Sequence, residues 1–515
     1  MVNTRDPKGK VLLLGAAGRD FHNFNVVFRG DGTQEVCGFT AAQIPKIEGR
    51  KYPASLAGPL YPAGLPIWPE TELEQIINGH HVDRCILSYS DLHHNRVMEL
   101  AARCLAAGAH FELLAPAATM LSSCKPVIAI VAVRTGCGKS QASRYVIQRL
   151  KEYGLKCALV RHPMPYGDLA KQAVQRFERY EDLEEQKVTI EEREEYEQHI
   201  KMGTVVFAGV DYEAILRAAE KEADVVIWDG GNNDTPFYKP DLWICVTDPH
   251  RAGHESSYYP GDVNFRMADV ILINKANTAP RGSLEKLQEA AGRINSGARV
   301  YVTDSNVAVD EPEKIRGKRV VCVDDGPTLT HGGMSYGAGR VAAEKYKAAE
   351  IVDPRPYLVG SLLDTYHKYK HLGKLIPAMG YWPEQISDLE ATIEAVPCDT
   401  VIIATPMNLQ RVVRISKPTV VVSYDVEDRE PPFLSEEVDR FAAQHFPGVA
   451  RAAPPTNGKH APEAAAHPTN GSKPSPAATN GLKAGGSDTA NGVKASVPPS
   501  NGKHTEPAGV ADACN

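Results

Sequence analysis

The residues best suited to chemistry in this 515-residue sequence lie in Ile130–Ser140, which reads IVAVRTGCGKS. Its glycines allow successive backbone N–H groups to close around a phosphate, and the helix pattern that follows points its positive end at the same anion. Lys139 would reach the terminal phosphates, and the Ser140 hydroxyl would coordinate Mg²⁺. The residues predicted to contact the nucleotide here are Thr135, Gly136, Cys137, Gly138, Lys139, Ser140 and Gln141.

This phosphate-binding loop departs from the usual GxxxxGK[ST] pattern at its start. The first glycine of the pattern is replaced by Val133, and Arg134 follows it. We expect the loop to leave its strand differently from the usual one. We interpret Arg134 as a catalytic cation shared between the nucleotide and a second anion.

A carboxylate follows another apolar strand, ADVVIWD, which ends at Asp229. An acid at the carboxyl end of a strand beside a phosphate-binding loop orients Mg²⁺ and its water ligands. Asp229 is therefore predicted to be catalytic and, with Ser140, to hold the metal; the alternative is a turn-forming aspartate.

A third motif, ILINKAN, covers Ile271–Asn277 and resembles the NKxD element of GTPases. Asn274, Lys275 and Asn277 are predicted to contact the base. Asn277 stands where those proteins have an aspartate, and an amide cannot accept both guanine hydrogens. A preference for guanine is therefore in doubt, and these residues leave both ATP and GTP open.

Two further glycine-rich turns surround charged side chains. GAAGRD at the N-terminus follows a strand, but it lacks the GxGxxG spacing and the acid of a nicotinamide site. HGGMSYGAG, beginning at His331, precedes a helix and is interpreted as a second phosphate cradle. The residues predicted to bind an anionic substrate are Arg19, His22, Asn23, Arg161, His162, His331, Gly332 and Gly333.

Alternating strand and helix patterns must position these residues, which indicates a parallel α/β fold. We predict a Rossmann-like domain (1–122), a P-loop NTPase domain (123–315) and a C-terminal α/β region with the glycine-rich loop (316–447). A tail (448–515) without aromatic residues should be disordered. Predicted strands of the third region are Val320–Asp324, Tyr357–Gly360, Thr400–Ala404 and Thr419–Tyr424.

A charged insertion near residues 168–202 interrupts the second domain. Its composition favours a solvated, salt-bridged helix, with a catalytic lid as the alternative.

The overall composition narrows the function classes. Hydrophobic residues make up 43% of the chain and the net charge is -7, which disfavours a nucleic-acid binder. No apolar run is long enough to span a bilayer, and no signal peptide is recognisable, so a cytoplasmic protein is expected. The partner predicted is a small phosphorylated substrate, and a homodimer is left open.

The motifs GAAGRDFHNFN, RTGCGKSQ, WDGGNND, INKAN and DDGPTLTHGGMSYGAG together resemble the cyclic 2,3-diphosphoglycerate synthetase family of archaea and its bacterial relatives, often labelled GTPases. The resemblance spans roughly residues 8–430. It implies an ATP-dependent ligase or phosphotransferase that closes 2,3-diphosphoglycerate into a cyclic anhydride by phosphoryl activation. The alternative is a SIMIBI-like regulatory or metal-delivery GTPase.

Overall fold

Short apolar runs separated by turns and amphipathic helices build the first sheet. The computed structural model describes residues 9–16, 18–42, 49–162, 167–330, 332–380 and 383–452. The first elements are β1 (Gly9–Leu14), α1 (Arg19–Asn23), β2 (Gln34–Ala41), β3 (Lys51–Tyr52), α2 (Ala54–Ala57), β4 (Leu65–Pro69), α3 (Leu73–His80), β5 (Arg84–Leu87), β6 (Leu92–His93), α4 (His94–Ala106) and β7 (His110–Glu112). In the described residues the strand order is β3-β4-β2-β1-β5-β7, and only β3–β4 is antiparallel.

The second stretch contains strands that are apolar along their whole length, because helices cover both faces of their sheet. Val127–Ala132, for example, is buried at every position. Its strands are β8 (Val127–Ala132), β9 (Cys157–Arg161), β10 (Gln175–Phe177), β11 (Val205–Ala208), β12 (Val225–Trp228), β13 (Leu242–Thr247), β14 (Tyr258–Tyr259), β15 (Val270–Ile273) and β16 (Arg299–Val309). Its helices are α5 (Lys139–Lys151), α6 (Tyr180–Glu185), α7 (Ile190–Lys201), α8 (Tyr212–Glu222), α9 (Gly261–Met267) and α10 (Ser283–Ile294).

The third stretch continues the same sheet. Its strands are β17 (Arg319–Asp325), β18 (Glu350–Ile351), β19 (Leu375–Ala378), β20 (Thr400–Ala404) and β21 (Thr419–Asp428). Its helices are α11 (Gly326–Leu329), α12 (Ala338–Lys345), α13 (Ser361–Lys368), α14 (Pro383–Ala395) and α15 (Leu434–His445). Over the described residues the order is β10-β11-β9-β12-β8-β13-β15-β16-β21-β20-β17-β18, with β19 on β17.

The join between the second and third stretches is an antiparallel ladder. β16 pairs with β21 from Thr303↔Asp428 to Val309↔Val422. After this ladder α15 returns to the second stretch, where Leu434, Val438 and Phe441 pack into the core under β8 and its neighbours. The phosphate-binding strand and the third stretch therefore share one sheet.

The α/β class with a mainly parallel sheet is confirmed, but one predicted strand is wrong. Tyr357 ends a short 3₁₀ helix (Arg355–Tyr357), and residues 358–360 form a loop and a turn, because prolines at 354 and 356 and Gly360 (φ 51°) interrupt the apolar run. The boundaries at 122, 315 and 447 stay predictions, and nearly all of the predicted disordered tail lies outside the described residues. Among the described helices, none combines the length and apolar character needed to cross a membrane.

Candidate active site

The phosphate-binding loop connects β8 to α5, as the sequence predicts. Gly136 (φ 83°) and Gly138 (φ 107°) adopt left-handed conformations that favour glycine. A Cβ on Gly138 would lie 2.1 Å from the Asn274 Nδ2 atom. At the missing first glycine, the Val133 amide donates to the Val246 carbonyl at 3.0 Å, so the strand pairing simply continues one residue further.

Lys139 and Asp229 meet in a buried chain of charges at the carboxyl ends of β8, β9 and β12. Lys139 Nζ donates to Asp229 Oδ1 at 2.6 Å, and Arg161 Nη1 lies 2.7 Å from Asp229 Oδ2. Arg161 continues to Glu195, whose Oε1 lies 2.5 Å from its Nη2 atom. Burial alone would raise the pKa of the Asp229 carboxyl, but Arg161 and Lys139 outweigh it and lower that pKa. Burial, followed by Arg161, lowers the pKa of the Lys139 amine.

These contacts test the predicted metal pair. Ser140 lies on the wall of the cavity beside the loop. Both Asp229 oxygens, however, already face a cationic side chain within 2.7 Å. Among the described His, Cys, Asp and Glu residues, no group of three or more is suited to a metal ion. The Ser140–Asp229 pair does not fit Mg²⁺ while Lys139 and Arg161 both contact Asp229.

The first two residues of the NKAN motif, Asn274 and Lys275, contact the backbone of the phosphate-binding loop. Asn274 is buried and donates to the Cys137 carbonyl at 3.3 Å, and Lys275 donates to the Gly136 carbonyl. Gln141 Oε1 accepts from the Asn274 amide at 3.4 Å. Asn274 therefore positions the loop, whereas Lys275 and Gln141 also reach the cavity.

Asn277 lies outside this arrangement. Its side chain is exposed, donates to the Ser305 carbonyl at 3.0 Å and to Asn306 Oδ1 at 3.1 Å, and does not belong to the described lining of the cavity. The predicted base contact therefore has no support from the geometry.

This placement makes Asn277→Asp a direct test of nucleotide choice. We expect the ratio of kcat/KM for ATP to that for GTP to change less than about twofold, the size of an ordinary surface substitution. Steady-state phosphate release with each nucleotide measures it, with Lys275→Met as the variant that should weaken both. A tenfold shift of this ratio toward GTP would support the predicted contact of residue 277 with the base.

A cavity of about 280 Å³ opens beside the loop. Its lining comes from the loop, from α7 and from the third stretch. Its described lining includes Ser90, Asp91, Thr135, Gly136, Gly138, Lys139, Ser140, Gln141, Arg144, Arg161, Glu194, Glu195, Asn233, Lys275, Thr278, Ser305, Val307, Asp324, Asp325, Pro327, Thr328, Leu329, Met334, Tyr336, Gly337, Ala338, Val341, Ala404, Pro406 and Tyr424.

Four carboxyl groups also belong to the lining of this cavity. Glu194 and Glu195 come from α7, and Asp324 and Asp325 end β17. Burial raises the pKa of Asp324 to about 7 and also raises the pKa values of Glu194 and Asp325. None of the four is predicted from the sequence as a site residue, because their partners lie far away along the chain.

The charged insertion was expected to be a solvated helix, and this expectation is wrong for α7. Glu191, Glu194 and Glu197 are buried and accept from the third stretch: from Gly380 N at 3.3 Å, Thr405 Oγ1 at 2.5 Å and Asn408 N at 2.7 Å respectively. These hydrogen bonds, from donors more than 180 residues away in sequence, offset the free-energy cost of burying the acidic face. The helix forms a wall of the cavity.

The carboxyl group of Asp324 occupies the predicted second phosphate cradle. The Gly339 amide, in the first turn of α12, donates to Asp324 Oδ1 at 2.8 Å. A Cβ on Gly337 would lie 2.2 Å from the same oxygen, so the glycines make room for this carboxylate. Of the predicted substrate residues here, Gly332 accepts from Arg251 through its carbonyl at 3.1 Å, Gly333 turns with φ 65°, and His331 lies outside the described residues.

Arg134 is buried behind the loop, away from the described cavity lining. Its Nε donates to Asp91 Oδ1 at 2.6 Å, and its guanidinium carbon lies 3.8 Å from the centre of the Tyr258 ring. Asp91 does line the cavity, so Arg134 contacts a residue of the lining without belonging to the described lining itself.

Apart from Arg161, four predicted substrate residues remain. Three of them, Arg19, His22 and His162, contact the loop after β12. Arg19 Nε lies 3.7 Å from Asp234 Oδ1, and His162 Nε2 lies 3.3 Å from Asp234 Oδ2. The His22 ring stacks on Phe237 at 4.1 Å; burial lowers its pKa to about 3. Asn23 donates to Ser88 Oγ at 2.9 Å. None of these four belongs to the described cavity lining. Asp234 is a local carboxylate partner of Arg19, and it competes with an anion for this side chain.

Comparison with known proteins gives relatives of two kinds. No family model matches the chain. Arginine synthetase ArcE of Thermococcus kodakarensis is 59% identical over 435 residues, covering 84% of this chain and 97% of the relative. Cyclic 2,3-diphosphoglycerate synthetase of Thermococcus sibiricus is 29% identical over 114 residues, 22% of this chain and 26% of the relative.

Among solved structures, LpxK from Aquifex aeolicus in complex with ATP has a TM-score of 0.40 at 14% identity, covering 62% of this chain and 90% of that one. This likeness is too weak to bear on the fold.

The two sequence relatives refine the resemblance found in the motifs. The link to the predicted family holds over a part of the chain, whereas the match to the arginine synthetase extends over nearly the whole of that relative. Both are named as synthetases, which confirms the prediction of an enzyme of that class. The chain belongs to the arginine synthetase ArcE family.

Proposed function

We propose that this protein is an ATP-dependent synthetase that makes arginine from its ureido counterpart, citrulline, and ammonia. The observation that carries the proposal is the cavity, whose lining combines a phosphate-binding loop with buried carboxyl groups. A nucleotide phosphate suits the loop. A neutral ureido group that becomes a cationic guanidinium suits the carboxyl groups, because developing positive charge is stabilised by fixed carboxylates.

Chemistry explains why ATP is needed. The ureido oxygen is a poor leaving group until it takes the γ-phosphoryl group of ATP, which releases ADP. Ammonia then attacks the central carbon through its lone pair, and phosphate departs with the electron pair of the C–O bond. The products are a guanidinium group, ADP and phosphate, with one proton released when the nitrogen enters as ammonium.

The loop residues and Arg161 have defined roles in this reaction. The backbone N–H groups near Gly136 and Gly138 and the amine of Lys139 would bind the phosphates and offset the charge of the transferred group. Arg161 holds Asp229 and Glu195 in place through its two ion pairs. Lys139 must exchange Asp229 for phosphate oxygens when ATP enters.

A second candidate function is the closure of 2,3-diphosphoglycerate into its cyclic anhydride. The 114-residue match to a cyclic 2,3-diphosphoglycerate synthetase favours it. The carboxyl groups of the cavity lining oppose it, because carboxylates repel a substrate that carries several negative charges. The regulatory GTPase has less support, since Asn277 lies outside the described lining.

One assay distinguishes the three. The full-length protein is incubated with Mg²⁺ and ATP or GTP, with citrulline, ammonium chloride, both, or 2,3-diphosphoglycerate, and phosphate and arginine are measured. We expect arginine and phosphate in equal amounts, with ATP, only when citrulline and ammonium are both present. Phosphate release that responds to 2,3-diphosphoglycerate alone would favour the cyclase. Slow GTP turnover that no acceptor changes would favour the regulatory GTPase.

A further inference from the structure

A buried carboxylate and two cationic side chains lie against the phosphate-binding loop. Asp248 directly follows β13, its side chain is fully buried, and its Oδ2 lies 3.2 Å from Arg251 Nη2 and 3.0 Å from Lys275 Nζ. Burial alone would raise the pKa of the Asp248 carboxyl, but Lys275 and Arg251 outweigh it and lower that pKa. One ionised carboxylate therefore holds two cations beside the loop.

Both cations donate to the backbone of the loop. Arg251 Nη1 donates to the Thr135 carbonyl at 2.7 Å, and Lys275 Nζ donates to the Gly136 carbonyl. Asn274 holds the next carbonyl along the loop at 3.3 Å. Three successive carbonyls are therefore bound by side chains of the protein.

The planar peptide unit turns the contact with Arg251 into a direction. A carbonyl and the N–H of the following residue point to opposite sides of one trans peptide. Holding the Thr135 carbonyl therefore directs the Gly136 N–H away from Arg251. Among the described residues this N–H has no acceptor, and Gly136 lines the cavity whereas Arg251 does not. The contact leaves the Gly136 N–H available to a ligand in the cavity.

The next peptides of the loop follow the same rule with one exception. Asn274 holds the Cys137 carbonyl, so the Gly138 N–H points away from Asn274, and it too has no acceptor among the described residues. The Cys137 N–H is the exception, because it donates to the Arg134 carbonyl at 3.3 Å. Two N–H groups of the loop are therefore left for phosphate oxygens.

Arg251 also reaches the third stretch of the chain. The same Nη1 atom donates to the Gly332 carbonyl at 3.1 Å. Residues around Gly332 lie close to the loop, since a Cβ on Gly136 would lie 2.9 Å from Met334 Sδ and 3.0 Å from Thr328 Cγ2. One guanidinium therefore connects the phosphate-binding loop to the glycine-rich segment that follows β17.

We propose that Arg251 is a positioning residue for the nucleotide: it holds the Thr135 carbonyl, so that the Gly136 N–H is directed to the phosphates of ATP, and it fixes the loop against the third stretch. Asp248 keeps the guanidinium in place. A buried ion pair by itself adds little net stability, so the conformation it imposes on the loop is the better account of its presence. The inference rests on the proposed binding of ATP, and it does not depend on which acceptor is used.

The test compares Arg251→Met and Arg251→Lys with Arg193→Met. Methionine removes every donor, whereas lysine keeps the charge but cannot reproduce the fork of a guanidinium. Arg193 on α7 is the matched control, because its side chain is 7% exposed against 11% for Arg251, it has ion pairs of its own, and it lies outside the described lining. Thermal denaturation reports the stability of each variant.

The first measurement is the affinity for phosphates without turnover. A fluorescent ATP analogue is titrated onto each full-length protein and then displaced by tripolyphosphate, which has the phosphates and no base. We expect Arg251→Met to bind both ligands about tenfold more weakly, the size of a lost hydrogen bond to a charged group. Arg251→Lys should recover part of this loss, and Arg193→Met should bind like the wild type.

Two results of this titration would overturn the positioning role. One is equal affinity in Arg251→Met and the wild type. The other is an equal loss in Arg193→Met, which would trace the effect to general destabilisation. If Arg251→Met does not fold, Asp248→Asn decides, because it keeps the arginine and removes the carboxylate that places it. We expect a smaller loss of affinity in the same direction, and an unchanged affinity would count against the proposal.

The second measurement is the KM for each substrate during arginine formation. We expect the KM for ATP to rise in Arg251→Met with the KM for citrulline unchanged. An equal rise in both would overturn the assignment to the nucleotide. If the Arg251 variants lose affinity for the ATP analogue while no arginine forms even with the wild type, the proposed function fails and the positioning role stands.

Discussion

Lys139→Met is expected to reduce ATP-driven phosphate release at least about 100-fold, the scale for losing one group that stabilises transition-state charge. The amine lies at the first residue of α5, its side chain is 12% exposed, and its contact with Asp229 keeps it at the cavity wall. Methionine keeps the length of the side chain and removes its charge. Asp229 retains Arg161 as a partner, so the fold should survive.

A coupled assay for ADP measures this effect, and thermal denaturation checks the fold. The matched control is Lys151→Met at the other end of the same helix, where the amine donates to the Met202 carbonyl outside the described lining. We expect the control to keep near-normal turnover. A rate for Lys139→Met within threefold of the wild type would remove Lys139 from the mechanism.

Gly138→Ala is expected to lower the affinity for ATP at least tenfold and to destabilise the protein by about 1–3 kcal/mol. Two costs combine: the left-handed backbone at φ 107°, and a Cβ that would lie 2.1 Å from the Asn274 amide. Asn274 would have to move, and it holds the Cys137 carbonyl at the top of the loop.

Gly108→Ala separates the two costs. Gly108 also has a left-handed backbone, with φ 92°, but a Cβ there would meet nothing within 4 Å. We expect it to lose about 1 kcal/mol of unfolding free energy with unchanged ATP affinity. Equilibrium titration with a fluorescent nucleotide and thermal denaturation measure both quantities. Equal nucleotide affinities in the two variants would show that the loop tolerates a side chain at 138.

Local features of the site were predictable, because the sequence contains both the motif and its immediate support. A buried strand, two glycines, Lys139 and a helix occur in one run of residues, and Asp229 ends the neighbouring strand. The carboxyl groups of the cavity lining were not predictable in the same way. Glu194 and Asp324 are 130 residues apart, and charge patterning alone indicated an exposed helix around Glu194.

The predicted anion-binding residues fail for a related reason. Arg19, His22 and His162 have the right chemistry for an anion, but their surroundings are set by Asp234 and Phe237, over 70 residues away from each. The glycine-rich segment likewise suits a phosphate in isolation, whereas in the folded chain Asp324 occupies that place.

The ladder between β16 and β21 decides how this chain can be divided. A fragment that ends near residue 315 keeps β16 and loses β21, so seven paired residues would become an open sheet edge. The same cut removes α15 and uncovers the apolar residues beneath it. Open edges and uncovered apolar faces promote aggregation. Co-expression of the two pieces, which lets the ladder re-form between separate chains, is the form in which a divided enzyme would stay in solution.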